Sequence, residues 1–298
     1  MTGIICVNKD RDITSFGVCS KLRGITGERK VGHTGTLDPM ATGVLTVMLG
    51  GATRFLDYLP ESDKSYKARF SLGMTTDTLD ITGSVLSECE VSVTRDELET
   101  VLEGFRGEIS QLPPMYSAVS VDGKRLYELA RQGAEIEREA RLVEIKSLEL
   151  TEFDGKEGML EVTCSKGTYI RSLIDDIGRA LGCGAVMTEL ERTQANGFPL
   201  DKCVTLDTLQ QLRDSGEGFD SVLISLESIF ELYPKVEISS AQAKRFSNGG
   251  ALDLKRIRQI VKNGACRVYS PDGLFLGLGS ADSEKGELSV LRLLTKRD

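Results

Sequence analysis

The sequence predicts an α+β fold that ends in a small β-rich module, on three observations. YKARFSL (66–72) and MLEVTCSKG (159–167) alternate apolar and polar residues with the period of half-buried strands. TRDELETVLEGFRG (94–107) and YIRSLIDDIGRALG (169–182) place their apolar residues on one helical face. Near residue 230 the composition shifts to short strand-like stretches around a Pro-Asp-Gly turn.

Taken in order, Tyr66, Ala68, Phe70 and Leu72 form the buried face of the first strand, against Lys67, Arg69 and Ser71. Thr94 and Glu97 form a capping box, and Leu98, Val101, Leu102 and Phe105 share the stripe that follows. After the strand at 159–167 comes a turn and then a helix with Ile170, Leu173, Ile174, Ile177 and Leu181 in register. Gly182 stands where a left-handed cap would close it. Residues 205–230 carry few apolar side chains in their middle (RDSGEGFD) and read as a loop. YPKVEIS, a short helix in SSAQAKRFSNGG and a hairpin in CRVYSPDGLFLGLG complete the chain. These divide it at about 232, into 1–231 and 232–298.

The composition, 40% hydrophobic and 28% charged over 298 residues, is that of a globular protein with a real core. No apolar run is long enough to span a membrane. Seven cysteines without a CxxC pair, and an N-terminus without the pattern of a signal peptide, read as reduced thiols in a cytoplasmic protein. With one histidine and no cysteine pairing, no metal site is expected. The net charge of −8 argues against a polyanion partner, but its distribution argues for one. Residues 235–262 hold seven Lys/Arg against Glu237 and Asp253, whereas 86–99 and 201–231 are acidic.

One stretch concentrates chemistry: KVGHTGTLDPMATGVLTVMLGGATRF, residues 30–55. It contains the only histidine, His33, and a lone acid, Asp38, before Pro39. An Asp-Pro pair is most often a turn. Here Gly32, Gly35 and Gly43 would allow close approach by a ligand, and Thr34, Thr36 and Thr42 offer hydroxyls for phosphate or sugar. The VLTVML run would bury one side. An acid against an apolar wall needs a partner or loses its charge, and Arg171 is a candidate cation.

GHTGTLDPMATGVL resembles the catalytic motif of the bacterial tRNA pseudouridine synthases of the TruB family, which modify the T-loop uridine (position 55 of tRNA). KSYKARFSLGMTTDTLDITG (64–83) is similar to that family's second motif, QLPPMYSAVSVDGKRLYELARQG (111–133) to its tRNA-gripping insertion, and CSKGTYIRSLIDDIGRALGCGA (164–185) to its arginine motif. The motifs follow one another in family order over almost the whole chain. The resemblance implies a mixed, mostly antiparallel central sheet with flanking helices, a gripping insertion at about 111–141, and a PUA-like RNA-binding domain at 232–298. It implies a monomer whose partner is the T stem-loop of tRNA, and no cofactor. Asp38 would attack C1′ or take the C2′ proton, two routes the sequence does not separate. Arg171 would pair with Asp38 and lower its pKa. Tyr66 would stack on the uracil and could take the C5 proton. His33 would fill the space left by the flipped base. Tyr169 would pack in the same pocket and Leu190 would line it. Tyr116 reads as structural or RNA-facing, and Lys9 and Lys64 as phosphate or scaffold contacts.

The insertion is nearly neutral: Lys124, Arg125, Arg131, Arg138 and Arg141 oppose Asp122, Glu128, Glu135, Glu137 and Glu139. Shape rather than charge should therefore recognise the stem-loop. The chain departs from the family pattern in KDRDITS, where Asp10 and Asp12 replace Pro and Gly. It departs again at Val186, where a His is expected, and at Glu191, where an Arg is expected. Two other readings are a guide-RNA-dependent pseudouridine synthase and a tRNA-binding folding chaperone with little catalysis. A third, a carbohydrate hydrolase, lacks the second carboxylate and any tryptophan.

Overall fold

The computed structural model describes residues 1–294 except 61, 118, 122, 131 and 135. Asp122, Arg131 and Glu135 of the insertion thus lie outside the described residues. The strands are β1 (Gly3–Lys9), β2 (Val31–His33), β3 (Thr42–Leu49), β4 (Lys64–Leu72), β5 (Met74–Thr76), β6 (Val85–Glu88), β7 (Gly107–Gln111), β8 (Ser120–Val121), β9 (Lys124–Arg125), β10 (Arg141–Phe153), β11 (Glu157–Cys164), β12 (Ala185–Ala195) and β13 (Phe198–Pro199). Helices α1 (Ser15–Thr26), α2 (Arg95–Glu103), α3 (Leu126–Ala130), α4 (Ile170–Ala180) and α5 (Leu206–Ser215) accompany them. A further set, β14 (Lys235–Glu237), α6 (Ser240–Ser247), β15 (Leu252–Asp253), β16 (Gly264–Tyr269), β17 (Phe275–Asp282) and β18 (Glu287–Leu293), closes the chain.

Among the described residues a nine-stranded sheet runs β1-β3-β12-β4-β11-β10-β7, with β2 beside β3 and β13 beside β12. Every pairing in it is antiparallel except β3–β12, where Glu191 faces Thr42 and Arg192 faces Gly43. That parallel seam brings the strand leaving the catalytic-type motif beside β12. It permits Gly43 a φ of +97°, and a Cβ there would stand 2.3 Å from the Arg192 carbonyl oxygen. The close approach expected at Gly43 is thus made by a neighbouring strand. One face of the sheet buries Ile5, Val7, Leu45, Val47, Phe70 and Leu160 against Val18, Leu22, Leu173 and Ile177 from α1 and α4.

The capping box at Thr94 forms as expected, but α2 ends at Glu103, short of the predicted 107, because Gly107 (φ +84°) starts β7. Gly182 does take a left-handed φ of +77° after α4. The segment at 205–230 is not a loop. Thr205 caps α5, which buries Leu206 and Leu209, and a 3₁₀ turn at Leu226–Phe230 buries Leu226, Ile229 and Phe230. The apolar residues that anchor it flank the polar RDSGEGFD stretch rather than lying within it.

The C-terminal sheet runs β14-β16-β17-β18-β15. It has its own core of Val236, Ile238, Phe246, Leu252, Val268 and Leu288. A second cluster, with Phe55, Phe230, Tyr269 and Phe275 in contact, joins it to the back of β1 and β3. All seven Lys/Arg of 235–262 are exposed. No helix among the described residues is long and apolar enough to cross a membrane.

Candidate active site

Residues 34–41, between β2 and β3, form the loop that carries Asp38. Its backbone carbonyls are held by donors from elsewhere in the chain. Arg192 donates through Nη2 to the Gly35 oxygen at 3.1 Å and through Nη1 to the Thr36 oxygen at 3.3 Å, while its Nε holds the Val44 oxygen at 2.7 Å. The Ser15 hydroxyl donates to the Leu37 oxygen (3.0 Å) and accepts from the Leu37 N–H (2.8 Å). Lys9 Nζ donates to the oxygens of Asp10, Ile13 and Pro39 at 2.8–3.0 Å. The Asp12 N–H also reaches the Pro39 oxygen, and Arg11 Nε reaches that of Met40. A loop fixed at this many points presents its acid with little rearrangement left to make.

Lys9 and Arg192 are both essentially buried, at 0% and 1% exposure. Buried cations normally need anions. Here carbonyl oxygens take that place, and burial pushes the Lys9 ammonium down to about 8. Of the two readings of Lys9, scaffold is therefore correct. Asp12, where a Gly was expected, has φ +64°. The turn survives because Asp tolerates the left-handed region better than most residues.

Asp38 meets Arg171 in a two-pronged fork: Nε to Oδ2 at 2.8 Å and Nη2 to Oδ1 at 3.0 Å. Arg171 lies in the first turn of α4, where a cation runs against the helix dipole. Its other contacts show what it gains there. Nη1 donates to the Thr78 oxygen and Nη2 to the Tyr116 oxygen, each at 2.9 Å. Arg171 thus ties the Asp38 loop to the β5–β6 turn and to the insertion, which gives Tyr116 a structural contact through its backbone.

The expected lowering of the Asp38 pKa by Arg171 is real but is outweighed. Burial pushes the carboxyl above the usual range, the Arg171 guanidinium pulls it back, and the charge of Asp80 pushes it up again. Asp80 was not singled out from the sequence. It is 5% exposed, 3.9 Å from Arg171 Nη1, and accepts hydrogen bonds from Thr78 and Thr82. Its signal was the threonine-rich TTDTLDITG turn.

Tyr66, on β4, pairs with Arg192 of β12 and Val162 of β11, and is 7% exposed. Burial pushes its hydroxyl up to about 12, while the charge of Arg192 and a hydrogen bond from it pull the other way. Leu190 is buried two residues before Arg192. Tyr169 caps α4, and its backbone is gripped on both sides by the buried Gln111, whose Oε1 accepts from its N–H (2.8 Å) and whose Nε2 donates to its oxygen (3.1 Å). His33 ends β2 with its Nδ1 buried and unpartnered among the described residues. Burial and then the Arg192 charge lower its pKa. Thr34 is not free for a ligand: its hydroxyl donates to Asn196 Oδ1 at 2.6 Å. Val186 is fully buried in β12, and Glu191 faces Lys67 in register. Among the described residues no cluster of three His, Cys, Asp or Glu could hold a metal ion.

Three family profiles match the chain in succession. They are the TruB family pseudouridylate synthase N-terminal domain (23–170), the tRNA pseudouridylate synthase B C-terminal domain (171–231) and the pseudouridine synthase II TruB C-terminal region (234–294). The chain is 45% identical over 296 residues to the tRNA pseudouridine synthase B of Stutzerimonas stutzeri (strain A1501), covering 99% of this chain and 96% of that protein. The same figures hold for the tRNA pseudouridine synthase B of Pseudomonas fluorescens (strain Pf0-1). Among solved structures it is similar to a chain in a Cbf5-Nop10-Gar1 complex, with TM-score 0.74 and 29% identity over 99% of this chain and 86% of that one. It is also similar to a chain of an H/ACA RNP bound to a substrate RNA containing 2'-deoxyuridine, with TM-score 0.73 and 26% identity over the same shares.

Proposed function

The chain belongs to the TruB family of pseudouridylate synthases, and from that premise we propose that it converts the T-loop uridine of tRNA, position 55, to pseudouridine, with Asp38 as its one catalytic carboxylate. The observation that carries this reading is the Arg171 fork on Asp38, set on a loop whose carbonyls are individually held. In the reaction the N1–C1′ bond breaks, the uracil turns over, C5 bonds to C1′, the C5 proton leaves and N1 takes up a proton. The product is an isomer of the substrate, so the leaving base is also the incoming nucleophile and one acid suffices.

Asp38 acts as an ionised group, either adding to C1′ or taking the C2′ proton. Its raised pKa marks a carboxylate with little stabilisation to lose, which favours both steps. Arg171 aims it and keeps it charged. Tyr66 stacks on the uracil. Its phenol is protonated at rest, so to accept the C5 proton it must pass its own proton on, and Arg192 is the cation placed to stabilise the phenolate. His33, with a free ring nitrogen and a depressed pKa, enters the gap left by the flipped base as a neutral imidazole. Leu190 and Tyr169 wall the base pocket, and the exposed basic face of the C-terminal module lies along RNA backbone.

An unmodified tRNA transcript incubated with the protein alone, then mapped by carbodiimide treatment and primer extension, tests this. A single stop at the T-loop uridine supports it. A stop elsewhere, or a requirement for a guide RNA, moves the substrate assignment. Tight tRNA binding without any stop favours the chaperone reading.

A further inference from the structure

Among the described residues five cations lie against the Asp38 loop, and four of them have partners. Lys9, Arg11 and Arg192 hold carbonyl oxygens, and Arg171 holds Asp38. The fifth is Lys64, the first residue of β4 and two before Tyr66 on the same face of the strand. Among the described residues it has neither a hydrogen-bond partner nor an acidic group within ion-pair distance. Its ammonium lies over Gly35, where a Cβ would stand 3.2 Å from Nζ and 3.9 Å from Arg192 Nη1. The protein therefore holds a half-buried ammonium next to a second cation, over a glycine three residues before the catalytic acid, and among the described residues offers it no anion. Burial first, and the Arg192 charge second, hold it down to about 8. In a chain with an acid surplus of eight charges, an unmatched cation at this place is not general charge balance. The unpartnered Nδ1 of His33 is two residues from Gly35.

An anion delivered with the substrate would satisfy this arrangement. A flipped uridine carries phosphates on both sides of its sugar, so bringing C1′ to Asp38 brings them to the rim of the same loop. We infer that Lys64 binds a backbone phosphate adjoining the flipped nucleotide and so sets how deep the sugar enters the site. The inference rests on the pseudouridine synthase reading above. Lys64 is a substrate-binding residue that joins nucleotide placement to the loop carrying Asp38.

The test uses T-arm RNA hairpins with one methylphosphonate, placed either 5′ or 3′ of the target uridine. Each is compared with a control of the same 2′-deoxy sugar and an ordinary phosphate. Affinities are measured for the wild-type protein, Lys64→Met and Lys64→Arg across a salt series. The expected result has five parts. Wild type loses about tenfold in affinity for one of the two methylphosphonates, and Lys64→Met loses about as much on the control RNA. Lys64→Met is indifferent to that methylphosphonate, and its log–log salt slope is shallower by about one phosphate contact. Lys64→Arg retains the wild-type pattern. Wild type indifferent to both methylphosphonates overturns the inference, and does so even if Lys64→Met fails to fold. So does a Lys64→Met variant whose loss multiplies with that of the methylphosphonate, or whose kcat falls while affinity and salt slope stay unchanged. Absence of tritium release by wild type from the unmodified, C5-tritiated hairpin would instead refute the parent reading, and the inference with it.

Discussion

Replacing Arg171 with Met removes the cation from a pair in which Arg171 is 4% and the Asp38 side chain 31% exposed. Orphaning one member of a fully buried pair costs roughly 3–5 kcal/mol. Water reaches one side of Asp38, so the lower end applies, about 3 kcal/mol. The carbonyls of Thr78 and Tyr116 also lose a donor, but both residues are half-buried and water can replace it, so they add little. With an m-value of about 3 kcal/mol per molar urea, the midpoint should fall by about 1 M. The pH dependence has a definite sign. Burial raises the folded-state pKa of Asp38, so its ionisation costs stability above that pKa, and the cost disappears as pH falls through it. Removing Arg171 enlarges the cost, so the gap between variant and wild type should narrow on acidification. For the same reason Asp38→Asn should recover part of the loss in the Arg171→Met background while costing little by itself. Urea titrations of the four proteins at neutral and acidic pH measure all of this. A midpoint shift below about 0.2 M, or strictly additive effects of the two substitutions, would refute the coupling.

Four other outcomes follow from the same geometry. Gly43→Ala forces a Cβ against the Arg192 carbonyl at a φ of +97° and should cost roughly 2–5 kcal/mol in thermal or urea unfolding, with activity falling alongside. Asp12→Gly, at φ +64°, should be neutral or stabilising by up to about 1 kcal/mol, whereas Asp12→Val should destabilise; melting temperatures decide. The acid limb of the kcat profile should lie above that of an ordinary aspartate, because the ionised form is active and burial raises the pKa at which it is lost; single-turnover rates against pH read this directly. Tyr66→Phe should keep RNA affinity within a few-fold yet slow tritium release from C5 by roughly 10²–10⁴-fold, whereas unimpaired release would remove the hydroxyl from the mechanism.

The sequence exposed the parts of the site that depend on residue type and local spacing. The isolated acid in GHTGTLDPMATG asked for a cation, and the structure supplies Arg171 in the predicted helix. The alternation at 66–72 and the capping box at 94 depend on neighbours in the chain and were legible for that reason. What long-range pairing decides was not. Gly43 looked like room for a ligand but is room for β12, and the Thr34 hydroxyl looked free but belongs to Asn196, 162 positions away. Lys9 and Arg192 gave no local sign of being buried on carbonyls, since a lone basic residue is ordinarily read as surface. The loop assigned at 205–230 failed because α5 is anchored by a few leucines before its polar stretch, too few to give a clear period.

Tritium release from uridine C5 in the T loop of an otherwise unmodified tRNA, measured for wild type and for Asp38→Asn, tests the central claim most directly. If one carboxylate carries the reaction, wild type releases one equivalent from that position without added cofactor or guide RNA. Asp38→Asn, folded and still binding the tRNA, should then be slower by at least about 10⁴-fold. Release by Asp38→Asn within about tenfold of wild type would contradict it.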